Sequence, residues 1–170
     1  KMDTQDITLP TASNLDPLMQ RYRSDPRTAR LAEALSEPIA RRITLSGLTG
    51  SAADFVFAAV TSHSGAERLN HVVVCNDAEE AAYFHNTLES LTGALDLFYF
   101  PSSFKAARNY AVLNSSHVML RTETLNRFSA PGNRKVMVTY PEAMVEKVVM
   151  ADTLSKNTLQ IKVNDTLDVD

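Results

Sequence analysis

The stretch that decides the fold reads Ile43-Thr44-Leu45-Ser46-Gly47-Leu48-Thr49-Gly50-Ser51-Ala52-Ala53-Asp54. An apolar segment leads into two glycines and a second apolar run follows, which is the pattern of a strand, a tight turn and a helix. A phosphate-binding loop has this layout and reads Gly-x-x-x-x-Gly-Lys-Ser/Thr, with Gly47 here as its first glycine. We therefore interpret the stretch as a phosphate-binding loop near the start of an α/β domain.

The residues that carry the chemistry of such a loop are replaced in this chain. Ala52 stands at the position of the last glycine, Ala53 at that of the lysine, and Asp54 at that of the hydroxyl residue that holds magnesium. Without the ammonium, and with an added negative charge, the loop is not expected to bind a nucleotide. The alternative is that the glycines only make a tight turn in an ordinary α/β domain. The residues assigned to this degenerate phosphate loop are Gly47, Thr49, Gly50, Ser51, Ala53 and Asp54.

Apolar segments alternate with helical patterns along the chain. The run Val72-Val73-Val74 is continuous and β-branched, which is typical of a parallel strand covered on both faces. Asp25 before Pro26 predicts a new helix start, because proline is favoured at the first helical position. Asp77, with Glu80 three residues later, resembles a capping box and predicts another helix start. The alternation predicts an α/β fold with a mostly parallel sheet, a three-layer P-loop NTPase-like domain. The predicted strands are 43–45, 71–75, 95–100 and 136–140, and the predicted helices are 17–35 with a break at Pro26, 54–61, 76–91, 117–128 and 141–150.

Length and composition indicate one main domain. The chain has 170 residues, of which 44% are hydrophobic, and this is enough for a sizeable core. Residues 1–16 are polar without a clear period and are expected to form a flexible arm, and residues 17–156 the α/β domain. Apolar and polar residues alternate in 159–163, so residues 157–170 are interpreted as the truncated start of a following domain.

The sequence favours a cytoplasmic protein without a membrane partner. No stretch approaches the roughly 20 apolar residues that span a bilayer, and no secretory signal is visible at the N-terminus. The single cysteine, Cys75, excludes an internal disulfide framework and suits a reducing compartment.

Charge is unevenly distributed. The net charge of −3 argues against a dedicated nucleic-acid binder. Residues 101–135, however, contain six basic residues against one acid, Glu123. This segment is either an ordinary solvated surface or a surface that faces a phosphate backbone or an acidic partner. The six basic residues are Lys105, Arg108, Arg121, Arg127, Arg134 and Lys135.

No catalytic residue, metal site or cofactor is predicted for this chain. The four histidines lie on separate predicted elements, without a cysteine or carboxylate at ligand spacing. A helicase-type ATPase carries an aspartate that positions magnesium after its later strand. The corresponding segment 138–143 has Glu142 as its only acid, which agrees with the losses in the phosphate loop.

Five short blocks of the sequence together resemble a known family. The blocks are, in order, Gly47-Leu48-Thr49-Gly50-Ser51-Ala52, Glu79-Glu80-Ala81-Ala82-Tyr83-Phe84, Phe100-Pro101-Ser102-Ser103, Arg121-Thr122-Glu123-Thr124-Leu125-Asn126-Arg127 and Val138-Thr139-Tyr140-Pro141-Glu142-Ala143. They resemble the N-terminal part of the bacterial transcription-repair coupling factor, over about residues 17–163. That part of the family is similar to the RecA-like excision-repair helicase subunit UvrB, whose own loop keeps glycine, lysine and threonine. The coupling factor's copy is degenerate, as it is here.

The resemblance implies a non-catalytic scaffold module. A full-length member of the family is an ATP-driven DNA translocase that displaces stalled RNA polymerase and recruits the damage sensor UvrA for nucleotide-excision repair. Its ATP and magnesium belong to a motor far C-terminal of this module. The UvrA-binding surface belongs mainly to a domain that would begin near 159–163, so no UvrA-binding residue is assigned here. The module itself is expected to pack against other domains of the same chain.

Two competing hypotheses remain at this point. One is a nucleic-acid-binding α/β domain that uses the basic segment 101–135. The other is an active nucleotide hydrolase in which Arg121 or Arg127 replaces the missing lysine.

Overall fold

The computed structural model describes residues 12–93, 95–104 and 113–148 of the chain. Most of the predicted arm and all of the predicted following domain lie outside these ranges. From residue 52 onward helices and parallel strands alternate as predicted, whereas the described part before it contains helices alone. The helices are α1 (Ala12–Ser24), α2 (Pro26–Ser36), α3 (Ala52–Thr61), α4 (Ala78–Leu91), α5 (Ser115–Ser129) and α6 (Pro141–Met144), and the strands are β1 (His71–Val74), β2 (Asp96–Tyr99) and β3 (Lys135–Thr139).

The three strands form an open parallel sheet in the order β1-β3-β2. Val73 of β1 lies opposite Val138 of β3, and Phe98 of β2 lies opposite Met137. The central strand β3 is buried along most of its length, which suits its apolar sequence. The prediction of an α/β fold with a parallel sheet is therefore confirmed. Within the described residues, no helix is both long and apolar enough to cross a bilayer.

Helices cover both faces of the sheet at β2. Neighbouring side chains of a strand point to opposite faces. The Tyr99 hydroxyl lies 3.4 Å from the Ala78 carbonyl oxygen of α4, whereas the Phe98 ring packs edge-on against Phe128 of α5. The helices α4 and α5 therefore lie on opposite sides of β2.

The main core lies between the sheet and the helices α3 and α4. Val136 and Val138 of β3 are fully buried and form one cluster with Ala59, Ala81 and Leu88. Small residues on the helices allow a close approach to the sheet, and Leu88 fills the space that remains. This core fixes α4 against β3 and α3 against α4.

Helix α2 begins where the sequence predicts. The Asp25 side chain accepts a hydrogen bond from the Arg27 amide over 2.8 Å, and Pro26 occupies the first helical position. Proline has no amide to satisfy there, so it starts the new helix without loss. The first helical stretch is thus divided at the predicted residue.

Three predicted element boundaries are wrong. Residues 43–45 form no strand: the segment 41–46 is exposed and pairs with none of the described strands. Helix α1 begins at Ala12, before the predicted start at Pro17. Helix α6 ends at Met144 and not at 150, because the chain turns there to place Glu146 against Ser103. The pattern of apolar residues alone does not fix where a short element begins and ends, because tertiary contacts also decide it.

Candidate functional site

The glycine turn leads into α3 as predicted, and both of its glycines have a positive φ. The angle is +78° at Gly47 and +54° at Gly50, in a region that residues with a Cβ disfavour. The Ala52 amide donates to the Thr49 carbonyl oxygen over 3.1 Å, and α3 begins at Ala52. A Cβ on either glycine would meet nothing within 4 Å. The glycines therefore serve the backbone conformation of the turn and not a close packing contact.

A cleft of about 570 Å³ lies beside this turn, at the carboxyl end of β1 and next to the first turns of α3 and α4. Open α/β sheets bind their ligands at this edge. Four carboxylate residues line the cleft, and its described lining contains no lysine or arginine. We call it the acidic cleft. Its carboxylates are Asp54, Asp77, Glu79 and Glu80, and Gly50, Ser51 and Ala53 line it as well.

Burial and the charge of the acidic cleft both affect the titration of its groups. Burial, together with the nearby carboxylates of Glu80, Asp54 and Asp77, raises the pKa of Cys75 to about 11. Burial also raises the pKa of Asp54, and Glu80 adds to that rise, while a hydrogen bond from Thr87 opposes it. The carboxylates thus disfavour a second negative charge beside them, and an incoming anion would meet repulsion from the same groups.

Helix capping accounts for two of the four carboxylates. The Asp77 side chain accepts a hydrogen bond from the Glu80 amide over 2.8 Å, as an N-cap does. The Glu80 side chain in turn accepts from the backbone and side-chain nitrogens of Asn76, both over 2.7 Å. The pairing of Asp77 with Glu80 that the sequence suggests is therefore confirmed as a structural cap.

We expect Asp77→Ala to destabilise the chain by about 1 kcal/mol, because the Glu80 amide loses its acceptor. Asp77→Asn keeps an acceptor of equal quality and is expected to change stability by only a few tenths of a kcal/mol. Urea unfolding of the three proteins measures both values. Equal losses for the Ala and Asn variants would show that the charge, and not the cap, is what matters at Asp77.

The loop residues do not converge on one site. Gly47 and Thr49 border a separate cavity of about 450 Å³, next to Tyr22 and Arg27. A working phosphate-binding loop follows a strand that holds its start within the sheet. Here residues 41–46 are not part of the sheet. The residues of the glycine turn therefore line two separate sites, the acidic cleft and this cavity.

The structure also corrects the predicted basic surface. Arg121 and Lys135 are buried, 6% and 4% exposed, and the Lys135 ammonium donates to the carbonyl oxygens of Phe128 and Ala130. Neither side chain therefore contributes to an exposed basic surface. The prediction that these two residues lie on the surface is wrong because their cationic groups are held by backbone carbonyls, whereas a long cationic side chain normally reaches solvent. Lys105 and Arg108 lie outside the described residues.

The remaining two basic residues are only partly available. Arg127 is about half exposed, and it pairs with Glu123 over 3.1 Å and with Asp96 over 3.5 Å. Arg134 is half-buried, with a φ of +63° and a buried Nε that has no hydrogen-bond partner in the described structure. Of the four described basic residues, none stands free on the surface as a phosphate contact requires.

A polar network that the sequence reading missed lies after β2 and β3. The Arg121 Nη1 donates to the carbonyl oxygens of Pro101 over 2.8 Å and of Ala143 over 3.0 Å. Its Nη2 lies 3.6 Å from the Glu146 carboxylate, and the guanidinium lies 4.1 Å from the centre of the Phe100 ring. Arg121 of α5 thereby connects the ends of both strands.

Two serines complete this network. Both the Ser102 and the Ser103 hydroxyls donate to Glu146, and the Ser103 amide donates to its two oxygens over 3.0 and 3.1 Å. The Ser102 amide donates to the Tyr140 hydroxyl over 2.8 Å, and His117 Nδ1 lies 2.8 Å from the Ser102 carbonyl oxygen. The adjacent serines after a predicted strand were the only sequence signal for this cluster, and nothing in the sequence pairs them with Glu146.

Metal ligation has no support in the described residues, where no group of three or more His, Cys, Asp or Glu side chains is placed to hold an ion.

Comparison of the chain with protein-family models, curated proteins and solved structures finds no match. The acidic cleft, the degenerate loop and the sequence blocks are therefore the features of the chain that bear on its function.

Proposed function

We propose that this chain is a non-catalytic scaffold module of a bacterial transcription-repair coupling factor. In this proposal the module keeps an α/β fold related to P-loop NTPases of the RecA-like type but has lost nucleotide binding. It acts through contacts with other domains of its own chain. The whole protein would be the ATP-dependent DNA translocase that displaces stalled RNA polymerase and recruits UvrA.

The acidic cleft carries the non-catalytic part of the proposal. A nucleotide bound at the glycine turn would bring its phosphates beside four carboxylates, with no cation from the described lining residues to neutralise them. Two like charges about 5 Å apart repel by about 3 kcal/mol at an effective dielectric constant near 20. One hydrogen bond from an amide of α3 to a charged phosphate contributes about 1.5–3 kcal/mol, so it does not exceed the repulsion from one carboxylate, and four carboxylates line the cleft.

The sequence blocks support the assignment to the coupling factor, and all five contain residues at the positions just described. One forms the glycine turn, and one forms the first half of α4 beside the acidic cleft. The other three contribute Ser102 with Ser103, Arg121, and Tyr140 with Ala143 to the polar network. UvrA, RNA polymerase and DNA are partners of the whole protein in this proposal. The module needs neither ATP nor magnesium of its own.

The hydrolase hypothesis is less well supported. Arg121 is buried and bonded to Pro101 and Ala143, and it does not line the acidic cleft. Arg127 also lies outside that lining, and its guanidinium stacks 4.9 Å from the centre of the Phe98 ring. Neither arginine is in a position to replace the missing lysine. The nucleic-acid hypothesis likewise loses the two buried cations of segment 101–135.

Thermal unfolding in the presence of Mg-ATP tests the proposal. We expect no change in the unfolding midpoint beyond that given by Mg-sulfate at the same ionic strength. A ligand at 100 times its dissociation constant would raise the midpoint of a chain this size by about 5–10 °C. A rise that is specific to ATP and lost in Gly50→Val would place a nucleotide at the glycine turn. The scaffold proposal would then be withdrawn.

A further inference from the structure

The Glu146 carboxylate lies among donors that suit an anion. Two serine hydroxyls and the Ser103 amide donate to its oxygens. Although burial acts to raise it, hydrogen bonds from Ser102 and Ser103 and the charge of Arg121 hold the pKa of Glu146 below its usual value. Hydroxyls, a backbone amide and a guanidinium are the groups that proteins use to bind carboxylates and phosphates.

Arg121 supplies a donor that is not fully used. Its side chain is only 8% exposed, and its Nη2 has no hydrogen-bond partner in the described structure. The nearest oxygen is that of Glu146 at 3.6 Å, beyond hydrogen-bond distance. A buried guanidinium donor without a partner is costly, so this position favours any oxygen that approaches more closely.

Glu146 belongs to a segment that is otherwise weakly held. Met144, Val145 and Val148 are 54%, 80% and 50% exposed, and Lys147 is exposed as well. Apart from the backbone bonds of Met144 to Tyr140 and of Val145 to Pro141 at the end of α6, the segment 144–148 is anchored mainly by the Glu146 side chain. Such a segment can leave its position while the donors after β2 and on α5 stay in place.

We propose that Ser102, Ser103 and Arg121 form a carboxylate receptor, which Glu146 occupies as an internal ligand. When the segment 144–148 moves away, the receptor accepts a carboxylate from outside. That carboxylate is either a small free acid or the acidic side chain of another polypeptide segment. The contact of Glu146 is then autoinhibitory, because it keeps the receptor closed in the resting fold.

The variant Glu146→Ala tests the proposal by emptying the receptor in the full 170-residue chain. Its unfolding midpoint is measured at pH 7 while sodium chloride is replaced by sodium acetate at constant ionic strength. Three proteins serve as controls: the wild type, Glu146→Gln, which keeps the receptor filled, and Glu142→Ala, which removes an exposed carboxylate from α6, four residues earlier. They account for the general stabilising effect of acetate.

We expect acetate to raise the midpoint of Glu146→Ala by about 3–6 °C more than that of the controls, at ten times its dissociation constant. A second arm uses the peptide acetyl-Gly-Glu-Gly-amide and its Gln counterpart. Stabilisation by the Glu peptide at lower concentration than acetate assigns the receptor to a polypeptide side chain, and stabilisation by acetate alone assigns it to a free acid.

An acetate response of Glu146→Ala that equals that of the controls overturns the proposal. If this variant shows no cooperative transition in chloride, recovery of the transition in acetate supports the receptor, and its absence overturns it. Glu146→Asp, which withdraws the carboxylate by one methylene, provides a better-folded second variant. It is expected to respond to acetate less than Glu146→Ala and more than the wild type.

Discussion

Replacing Arg121 with methionine is expected to destabilise the chain by about 3–5 kcal/mol, since removing one partner of a buried ion pair leaves the other charge without compensation. Burial lowers the pKa of Arg121, while Glu146 and Tyr140 act to raise it. Methionine fills much of the same volume, so the expected loss is mainly electrostatic. The carbonyl oxygens of Pro101 and Ala143 also lose their donor.

Urea unfolding measures this loss, and Arg127→Met is the matched control. Arg127 lies one and a half turns further along the same helix, and its ion pairs with Glu123 and Asp96 are about half exposed. Exposed pairs contribute about 0–1 kcal/mol. If the two variants lost equal stability, the network around Arg121 would be no more than a surface contact.

Leu88→Ala is expected to cost about 2–5 kcal/mol, because it leaves a cavity in the main core. Leu88 is 0% exposed and packs in one cluster with Val136 and Val138 of the central strand. The neighbouring residues Ala81 and Ala59 are already small and have little side chain with which to refill the space. The loss should therefore lie in the upper half of that range.

Met119→Ala is the control for this prediction. Met119 is an apolar residue on α5 that is 72% exposed, so its truncation is expected to change stability by no more than about 0.5 kcal/mol. Both free energies of unfolding come from urea titrations with a shared slope. A loss below 1 kcal/mol for Leu88→Ala would mean that the helices and the sheet do not pack as described.

Local sequence signals predicted much of the fold. The run Val72-Val73-Val74 and the apolar segment 136–140 became paired strands because β-branched residues suit a sheet covered by helices. Asp25 with Pro26, and Asp77 with Glu80, fixed helix starts through contacts within a few residues. Signals of this kind are complete within one short segment, so they can be interpreted without knowledge of the rest of the fold.

The predictions that were wrong concern residues whose structure depends on distant parts of the chain. The segment 43–45 is apolar enough for a strand, but a strand forms only with a partner, and none of the described strands pairs with it. Arg121 was taken for a surface cation, whereas carbonyl groups about 20 residues away on either side bury it. The acidic cleft was predicted only in part. Of its four carboxylates, Asp54 was assigned to the loop from the sequence, whereas the convergence of all four required the fold.

The strand order has a consequence for the time at which the protein folds during synthesis. The central strand β3 is the last of the three to leave the ribosome, and β1 pairs with nothing else in the described sheet. About 65 residues separate His71 from its partner Val136, so at 5–20 residues per second β1 waits roughly 3–13 s for translation to reach β3. During that interval the nascent chain holds apolar strands without a partner, and exposed apolar surface of this kind favours aggregation.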